Sequence, residues 1–327
     1  MFRCLCLWLF FGLATSINAA GAKDGTIVIV DPDGVVGALP TGVDGAGDIF
    51  GTFYGADFVS HGFVRSAVGT FTFFDPPGSI ETHTAAADEN GMLAGYYLDR
   101  EADHGFVRKP DGTLTTFDAC GPNALALAID SRAGAVGYCQ AQGMSHAFIR
   151  GKHGKVKIFD PPESMGTFAA AVNHSKFVAG NYQPDSGSSG FVRDAEGKIT
   201  VFDPPNSIFT AVNGINDAGT IVGWYLDGSN RHGFVRGSDG EITSFDPPHS
   251  SATWAVAINA KGAITGYYYD AQMSHVRGFI RSAKGRFKLF DVPGANQTYP
   301  QAINAKGFVT GYYYLTTADP HGFLRYP

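Results

Sequence analysis

The chain has 327 residues, and its 24 Lys and Arg against 30 Asp and Glu give a formal charge of −6. This balance argues against a nucleic-acid partner, which selects for a basic surface. Charged residues make up 17% of the chain and hydrophobic residues 44%, which is too apolar for disorder, and 43 Gly with 17 Pro require many turns. The composition therefore predicts a folded protein of the all-β class.

The first feature in chain order is an export signal. Arg3 precedes an apolar run of 11 residues at 4–14, and small residues follow at 19–22. This run is too short to span a bilayer, and the arrangement is typical of a cleaved signal peptide. We expect residues 1–22 to be removed and residues 23–327 to be exported to the periplasm, the cell surface or the medium, without a membrane span.

The rest of the chain is a tandem repeat. The His-Gly-Phe-Val-Arg segment at 61–65 recurs in related form, with starts 42 to 45 residues apart; the copies lie at 104–108, 146–150, 189–193, 232–236, 277–281 and 321–325. Within a unit, strand-like segments such as 253–259 and 263–269 are joined by short turns containing Gly. Four short strands in a unit of this length indicate a β-propeller blade.

The two ends of the chain complement each other. The last unit stops after its third strand, and the chain begins, after the signal, with a lone fourth strand at 25–31. Pairing of these ends would hide both sheet edges. The sequence therefore predicts a seven-bladed β-propeller of four-stranded antiparallel blades, closed by the N-terminal strand on the C-terminal blade.

Residues that repeat in every unit are interpreted as structural. A glycine column predicts close approach of two backbones, and an aromatic column predicts packing between blades. The glycines are Gly51, Gly95, Gly137, Gly180, Gly223, Gly266 and Gly311. The aromatic residues are Phe53, Tyr97, Tyr182, Tyr225, Tyr268 and Tyr313, interrupted by Cys139.

The repeated Asp and Arg residues also receive structural roles. Each Asp that ends a fourth strand, such as Asp246, falls near the residue that opens the preceding strand, here His232. A hydrogen bond from the imidazole or the backbone is expected. Seven equivalent Asp around a ring do not form an active site, because catalysis needs unlike groups at one point. The Arg that ends each third strand is expected to serve a turn or the surface.

The repeated motifs resemble a known family. The His146-Ala147-Phe148 tripeptide, its His-Gly-Phe relatives, the Ala-x-x-Ile-Asn segment and the Phe-Asp-Pro-Pro linker are similar to the HAF-repeat family of exported bacterial proteins. The resemblance implies a propeller-like domain outside the cytoplasm and no particular activity. Unit length and strand offset also resemble WD-repeat propellers more loosely. Ser189 and Arg277 depart from the His column.

Variation between units points to one face of the ring. The linkers between blades and the connections from second to third strands differ in length and charge, and they share one end of the blades, so a binding face is predicted there. Aromatic side chains near the channel mouth on this face suggest stacking on a sugar or a peptide. The predicted binding residues are His83, Phe168, Trp254, Tyr269, Tyr299 and Tyr314. Ordinary packing between blades is the alternative.

Three functions stay open at this point. The leading hypothesis is an exported binding module for a glycan polymer or a protein partner, monomeric and without a cofactor. A carbohydrate-active hydrolase or lyase is the second, with Glu81, His83 and Glu163 as acid–base candidates. A purely structural cell-surface module is the third.

Other candidate chemistry is sparse. No nucleophile, phosphate-loop or zinc motif is present, and the Asp-rich segments 31–34 and 44–48 lack a complete calcium loop, so no metal site is predicted. Two cysteines outside the signal, Cys120 and Cys139, flank one hairpin. Export would permit a disulfide between them, but the sequence does not show whether they lie within bridging distance.

Overall fold

The computed structural model describes residues 25–132, 134–315 and 319–327, so the predicted signal peptide at 1–22 lies outside the described residues. Within these ranges the chain forms 28 strands and no helix. In the same ranges no helix has the length and apolar character needed to cross a membrane. The all-β class predicted from composition is confirmed.

The strands run as consecutive antiparallel meanders. The first is β1 (Ile27–Ile29), and the next two groups are β2 (Gly37–Val43), β3 (Ile49–Tyr54), β4 (Ser60–Arg65), β5 (Phe71–Phe74), and β6 (Glu81–Ala87), β7 (Leu93–Leu98), β8 (Asp103–Arg108), β9 (Leu114–Phe117). Two further groups are β10 (Ala124–Asp130), β11 (Gly134–Ala141), β12 (Met144–Arg150), β13 (Val156–Phe159), and β14 (Gly166–Val172), β15 (Val178–Gln183), β16 (Ser189–Arg193), β17 (Ile199–Phe202). The remaining strands are β18 (Phe209–Ile215), β19 (Ile221–Leu226), β20 (Arg231–Arg236), β21 (Ile242–Phe245), then β22 (Ser250–Ile258), β23 (Ile264–Asp270), β24 (Val276–Arg281), β25 (Phe287–Phe290), and β26 (Gln297–Ile303), β27 (Val309–Tyr314), β28 (His321–Arg325).

These strands form five four-stranded sheets and one eight-stranded sheet. The eight-stranded sheet contains two meanders, β22 to β25 and β26 to β28 with β1, which one parallel pair between Val276 and Gln297 connects. Each four-stranded sheet contains four consecutive strands in chain order. The four-stranded antiparallel unit predicted from the repeat is therefore present throughout the described chain.

The N-terminal strand pairs with the last one, as predicted. In this antiparallel pair Val28 lies opposite Leu324, and β2 contacts β26, β27 and β28. Asp31 accepts hydrogen bonds from His321 Nδ1 and from Gly322 N, each 2.8 Å long. The first meander thus packs beside the last, and the edges of β1 and β28 that face each other are both satisfied.

Each innermost strand contains a β-bulge, and the repeated glycine on the neighbouring strand lies beside it. In β22 the register shifts between Ala255 and Ala257, which leaves Val256 as the extra residue. A β-carbon added to Gly266, on the neighbouring strand, would overlap the carbonyl oxygen of Trp254. The predicted close approach of backbones at this glycine is confirmed, and the bulge re-aims a side chain of the innermost strand.

In six units the Arg that ends the third strand packs between meanders, so the predicted surface role is wrong. The predicted turn role is confirmed in several units, where the guanidinium donates to the carbonyl of the following residue, as Arg193 does to Asp194 O at 3.0 Å. The guanidinium of Arg281 lies 4.7 Å from the ring centre of Phe245, which belongs to the preceding meander. Burial lowers the pKa of Arg281, and Arg325 is only 2% exposed. Equivalent cation–π pairs join Arg108 to Phe74, Arg150 to Phe117, Arg193 to Phe159, Arg236 to Phe202 and Arg325 to Phe290.

The repeated Asp residues bind the imidazoles as predicted. His232 Nδ1 lies 2.7 Å from Asp246 Oδ2, and the other oxygen of this carboxylate accepts a hydrogen bond from Thr253 in the next meander. The same imidazole–carboxylate contact joins His61 to Asp75, His104 to Asp118, His146 to Asp160 and His321 to Asp31. At the departure from the His column, Arg277 bonds Asp291 at 2.7 Å instead.

Buried aromatic rings and one disulfide complete the packing. Of the predicted aromatic column, Tyr97, Tyr225, Tyr268 and Tyr313 are buried. At the position of the interruption, Cys139 in β11 forms a disulfide with Cys120, with 5.9 Å between the Cα atoms. The bridge ties the linker between β9 and β10 to the following meander.

Candidate functional site

Antiparallel meanders place alternate connections at opposite ends of the molecule. We call the end with the second-to-third strand connections and the linkers between meanders the linker end. The other, with the first-to-second and third-to-fourth strand turns, is the turn end. A cavity of about 740 Å³ runs between them, lined by the innermost strand of every meander. All of the bulged residues line it: Thr41, Ala85, Leu127, Ala170, Asn213, Val256 and Gln301. The repeated bulge therefore exposes one variable side chain per meander to the channel.

Aromatic rings form a continuous arc at the linker end of this channel. The indole of Trp254 stacks on Tyr267 with ring centres 5.1 Å apart and lies 5.3 Å from Tyr269. Tyr267 in turn meets Tyr299 at 4.9 Å, edge to face. Tyr299 stacks on Tyr312 at 5.1 Å. We call this set, with Trp224 and Tyr314, the aromatic arc.

The arc extends at both of its ends. Trp224 lies 6.3 Å from Trp254 and stacks on Phe209 at 5.3 Å. At the other end Tyr314 lies 5.8 Å from Tyr312 and 6.0 Å from Tyr299, both edge to face. The rings of the arc are only half-buried, whereas four rings of the aromatic column are buried. Half-exposed, preformed aromatic surfaces beside a channel can take a flat apolar face of a ligand.

The structure brings together four of the six predicted binding residues. Trp254, Tyr269, Tyr299 and Tyr314 are neighbours in the arc. His83 and Phe168 lie on other meanders and make separate ring contacts. His83 stacks on Tyr96 at 4.9 Å, and Phe168 meets Tyr138 edge to face at 4.9 Å.

Five aromatic residues near the linker end of the channel were not predicted from the sequence. They share one position, directly before the aromatic column that was assigned to the core: Tyr96, Tyr138, Trp224, Tyr267 and Tyr312. Because side chains alternate along a strand, a residue next to a core aromatic points to the opposite face. That alternation was the signal available in the sequence, and it predicts half-exposed rings at this position.

Burial favours the neutral form of several tyrosine hydroxyls of the arc. Burial raises the pKa of Tyr312 to about 12, and burial also raises the pKa values of Tyr267 and Tyr299 well above the ordinary tyrosine range. The Tyr299 hydroxyl donates a hydrogen bond to Gln297 Oε1 at 3.0 Å. At physiological pH the arc therefore offers uncharged hydroxyl groups beside its ring faces.

One cation lies on the arc. The guanidinium carbon of Arg231, at the start of β20, is 5.2 Å from the Trp224 ring centre and 5.0 Å from that of Trp254. The Arg231 side chain is exposed. It lies against the faces of two indoles, which is the geometry of a cation–π contact.

The segments between strands at the linker end are strongly acidic. They contain 15 Asp and Glu against Arg100 as the single Lys or Arg, whereas the segments at the turn end contain 10 acidic and 10 basic residues. Hydrogen bonds from backbone amides lower the pKa values of Asp99 and Asp227, two of these acids. The connecting segments of the linker end therefore carry an excess of negative charge at neutral pH.

The predicted acid–base residues do not form one constellation. Glu81 Oε2 lies 3.2 Å from His83 Nε2, and Ser60 Oγ lies 3.5 Å from the same nitrogen. Because both groups meet one imidazole nitrogen, they do not form the relay in which a base on one side of the ring serves a nucleophile on the other. Glu163 lies in the exposed linker before β14, and no contact within the described ranges joins it to Glu81 or His83.

The described ranges contain no group of three or more His, Cys, Asp and Glu side chains arranged to hold a metal ion.

Comparison with known proteins identifies the fold. No protein-family model and no curated protein matches this sequence. A catalytically inactive virginiamycin B lyase from Staphylococcus aureus, in complex with quinupristin, is similar in structure with a TM-score of 0.63 and 13% identity, over 93% of this chain and 100% of that one. A streptogramin B lyase structure has a TM-score of 0.61 and 13% identity, over 91% and 97% of the two chains.

A third similar structure is named as a propeller. It is the β-propeller domain of the Trilobed protease from Pyrococcus furiosus, with a TM-score of 0.62 and 13% identity, over 89% of this chain and 94% of that one. That domain is described as having an open velcro topology, whereas β1 of this chain pairs with β28. At these identities the likeness concerns the fold, and the chain has the architecture of a β-propeller.

Proposed function

We propose that the chain is an exported, monomeric, seven-bladed β-propeller of the HAF-repeat type that binds a polysaccharide at the aromatic arc, without a cofactor. The observation that carries the proposal is the arc itself. Half-exposed rings from several meanders meet beside the channel at the end of the molecule where the connecting segments vary.

The way in which the strands divide supports the proposed blade count. Five sheets have four strands each, and the eight-stranded sheet separates at the single pair of Val276 and Gln297 into two further meanders of four strands. One bridge between adjacent meanders is a contact between blades rather than a shared blade. The motif spacing of the sequence supports the same count, and the predicted signal supports export.

A flat sugar ring fits the chemistry of the arc. Sugar rings carry an apolar face and hydroxyl groups around their edge, so they suit stacked rings flanked by neutral tyrosine hydroxyls. The channel supplies a concave surface, and its bulged residues differ from blade to blade. A polymer could extend from the arc across the variable segments of the linker end.

Removal of arc rings should abolish most of the affinity. We expect Trp254→Ala and Tyr299→Ala each to weaken binding of the preferred oligosaccharide about 30-fold, which corresponds to roughly 2 kcal/mol for a central aromatic contact. A glycan array would identify the oligosaccharide, and calorimetric titration would measure the dissociation constant. Trp254→Phe keeps an aromatic face and should retain part of the affinity.

Phe73→Ala is a matched control, because this 53% exposed ring lies in β5, away from the arc. It should leave the dissociation constant unchanged. Unchanged affinity in folded Trp254→Ala and Tyr299→Ala variants would refute the site. Failure of every glycan on a broad array would refute polysaccharide binding, and a protein partner would then be the better hypothesis.

A hydrolase or lyase is the second candidate, favoured by the contact between Glu81 and His83. Their carboxylate and imidazole lie 3.2 Å apart, within reach of a proton transfer, and His83 is also stacked on Tyr96. The structurally similar lyases make the fold compatible with catalysis but do not transfer their reaction. Turnover of a polysaccharide that is lost in Glu81→Gln would support this candidate.

A further inference from the structure

The Arg231 side chain lies against the two indoles of the arc. Its guanidinium lies about equally far from the Trp224 and Trp254 ring centres, at 5.2 and 5.0 Å. The equivalent positions before the His-Gly-Phe motif in three other meanders are Ser60, Asp103 and Ser188, none of them cationic. The contact is therefore particular to this blade, which also supplies Trp224.

Two independent features select for positive charge at this place. The faces of the indoles attract a cation through their quadrupole, as the position of Arg231 demonstrates. The connecting segments of the whole linker end carry 15 acidic residues against one basic residue, so their field draws cations toward this end and repels anions. An anionic polymer would meet an excess of carboxylates at this end of the molecule.

We propose that the two indoles form a cation site, that Arg231 occupies this site as an internal ligand, and that the natural ligand is a polysaccharide with free protonated amines that displaces it. A polymer of glucosamine has this chemistry. The inference rests on the proposed polysaccharide binding and adds the charge of the ligand. An ammonium group would take the place of the guanidinium over the indole faces, while the sugar ring stacks on the neighbouring tyrosines.

The test uses two oligosaccharides with the same backbone. Hexamers of glucosamine and of N-acetylglucosamine differ in whether the amine is charged, and polygalacturonate serves as an anionic probe. Binding is measured by calorimetry at a mildly acidic pH, where the amines are protonated and exposed carboxylates remain ionised. We expect the glucosamine hexamer to bind at least tenfold more tightly than its N-acetylated form, with an affinity that falls as NaCl is raised.

Substitution of Arg231 should raise the affinity for the ligand, whereas substitution of an ordinary binding residue lowers it. Arg231→Ala frees the indole faces, so we expect it to bind the glucosamine hexamer about fivefold more tightly than the wild type, with little change for the N-acetylated hexamer. Arg100→Ala removes another cation of the linker end and is the matched control for a change in general charge. It should alter the affinity less than twofold.

The outcomes separate this inference from the proposed function. Equal affinity for the two hexamers, with both weakened by Trp254→Ala, would overturn the cation site and leave polysaccharide binding intact. Weaker binding of the glucosamine hexamer by Arg231→Ala, or preference for polygalacturonate that this variant abolishes, would show that Arg231 contacts an anionic group and would overturn the inference. Absence of binding by all three probes would overturn the proposal of an amine-bearing polysaccharide ligand. The glycan array would then test whether the chain binds other polysaccharides.

Discussion

The two ends of the molecule use the same repeat for different purposes. At the turn end, amide side chains connect one meander to the next: Asn173 bonds the Asn216 carbonyl, Asn216 that of Asn259, Asn259 that of Asn304, and Asn304 that of Asp44. The last of these joins residues 260 positions apart in the chain. At the linker end the equivalent segments differ from unit to unit and surround the aromatic arc.

This contrast shows how a repeat can separate stability from recognition. At the turn end each Asn also caps its own turn, as Asn304 Oδ1 does by accepting from Lys306 N and Phe308 N at 3.0 Å. The position is therefore constrained twice, within its meander and between meanders. Residues of the aromatic arc are half-exposed, so their replacement leaves the blade scaffold in place.

The largest predicted effect is on stability at the turn end. Asn304→Ala removes a buried side chain that makes three hydrogen bonds. Two backbone amides lose their acceptor, and the Asp44 carbonyl loses one donor while it keeps its bond from Gly47 N. We expect the free energy of unfolding to fall by about 4 kcal/mol, at a little over 1 kcal/mol for each bond. Urea denaturation would measure this change.

Asn90→Ala is the control for Asn304→Ala, because Asn90 is an exposed turn-end residue whose side-chain amide donates a hydrogen bond to the Ser131 hydroxyl. It should cost less than about 1 kcal/mol. If folded Asn304→Ala lost ligand affinity as well as stability, the separation between the two ends would be wrong.

The next effect concerns a bond found in one unit only. Replacing Cys120 and Cys139 by Ser removes a disulfide that spans 19 residues, which should lower the free energy of unfolding by about 3 kcal/mol through the entropy of the unfolded chain. Thermal denaturation with and without reductant would measure it. Reductant should have no effect on the double variant. A wild type that is insensitive to reductant would contradict the expectation.

The smallest effect is a pH dependence at Asp44. Burial raises the pKa of this carboxyl although the backbone amides of residues 46–48 donate to Oδ1. The folded chain therefore binds the proton more tightly than the unfolded chain, and stability is lost as the pH rises from the ordinary carboxyl range through the raised pKa.

Asp44→Asn keeps the acceptor oxygen and restores the Asn found at this position in four other units. Its stability relative to the wild type should increase from acidic to neutral pH, as measured by chemical denaturation at several pH values. A difference that is constant with pH would mean that ionisation of Asp44 does not oppose folding.

The repeat allowed the strand order, the closing pair and the His–Asp bonds to be predicted. These features depend on residues within one unit or on the two chain ends, so spacing alone reveals them. The packing of the Arg side chains between meanders was missed because the partner of Arg281 is Phe245, which lies in the preceding unit and meets it only after adjacent blades pack. The sequence also does not show how deeply an arginine side chain is buried between two meanders.

The binding site was predicted in part for a similar reason. Trp254, Tyr269, Tyr299 and Tyr314 were identified from their variable positions, but Tyr267 was not, because it adjoins a column assigned to the core. The bulge at Val256 interrupts the alternation of side chains between the two faces of β22. The sequence alone therefore does not show which side chains of β22 point to which face. Which ring meets which depends on packing between blades.

Tryptophan fluorescence tests the central claim most directly. The chain has three Trp, and one of them, Trp8, lies in the predicted signal, so Trp224 and Trp254 are the only indoles of the expected exported form. Titration with the glucosamine hexamer should change their emission saturably, with the dissociation constant found by calorimetry, and Trp254→Phe should reduce the change. Binding detected by calorimetry without any change in emission would contradict recognition at the aromatic arc.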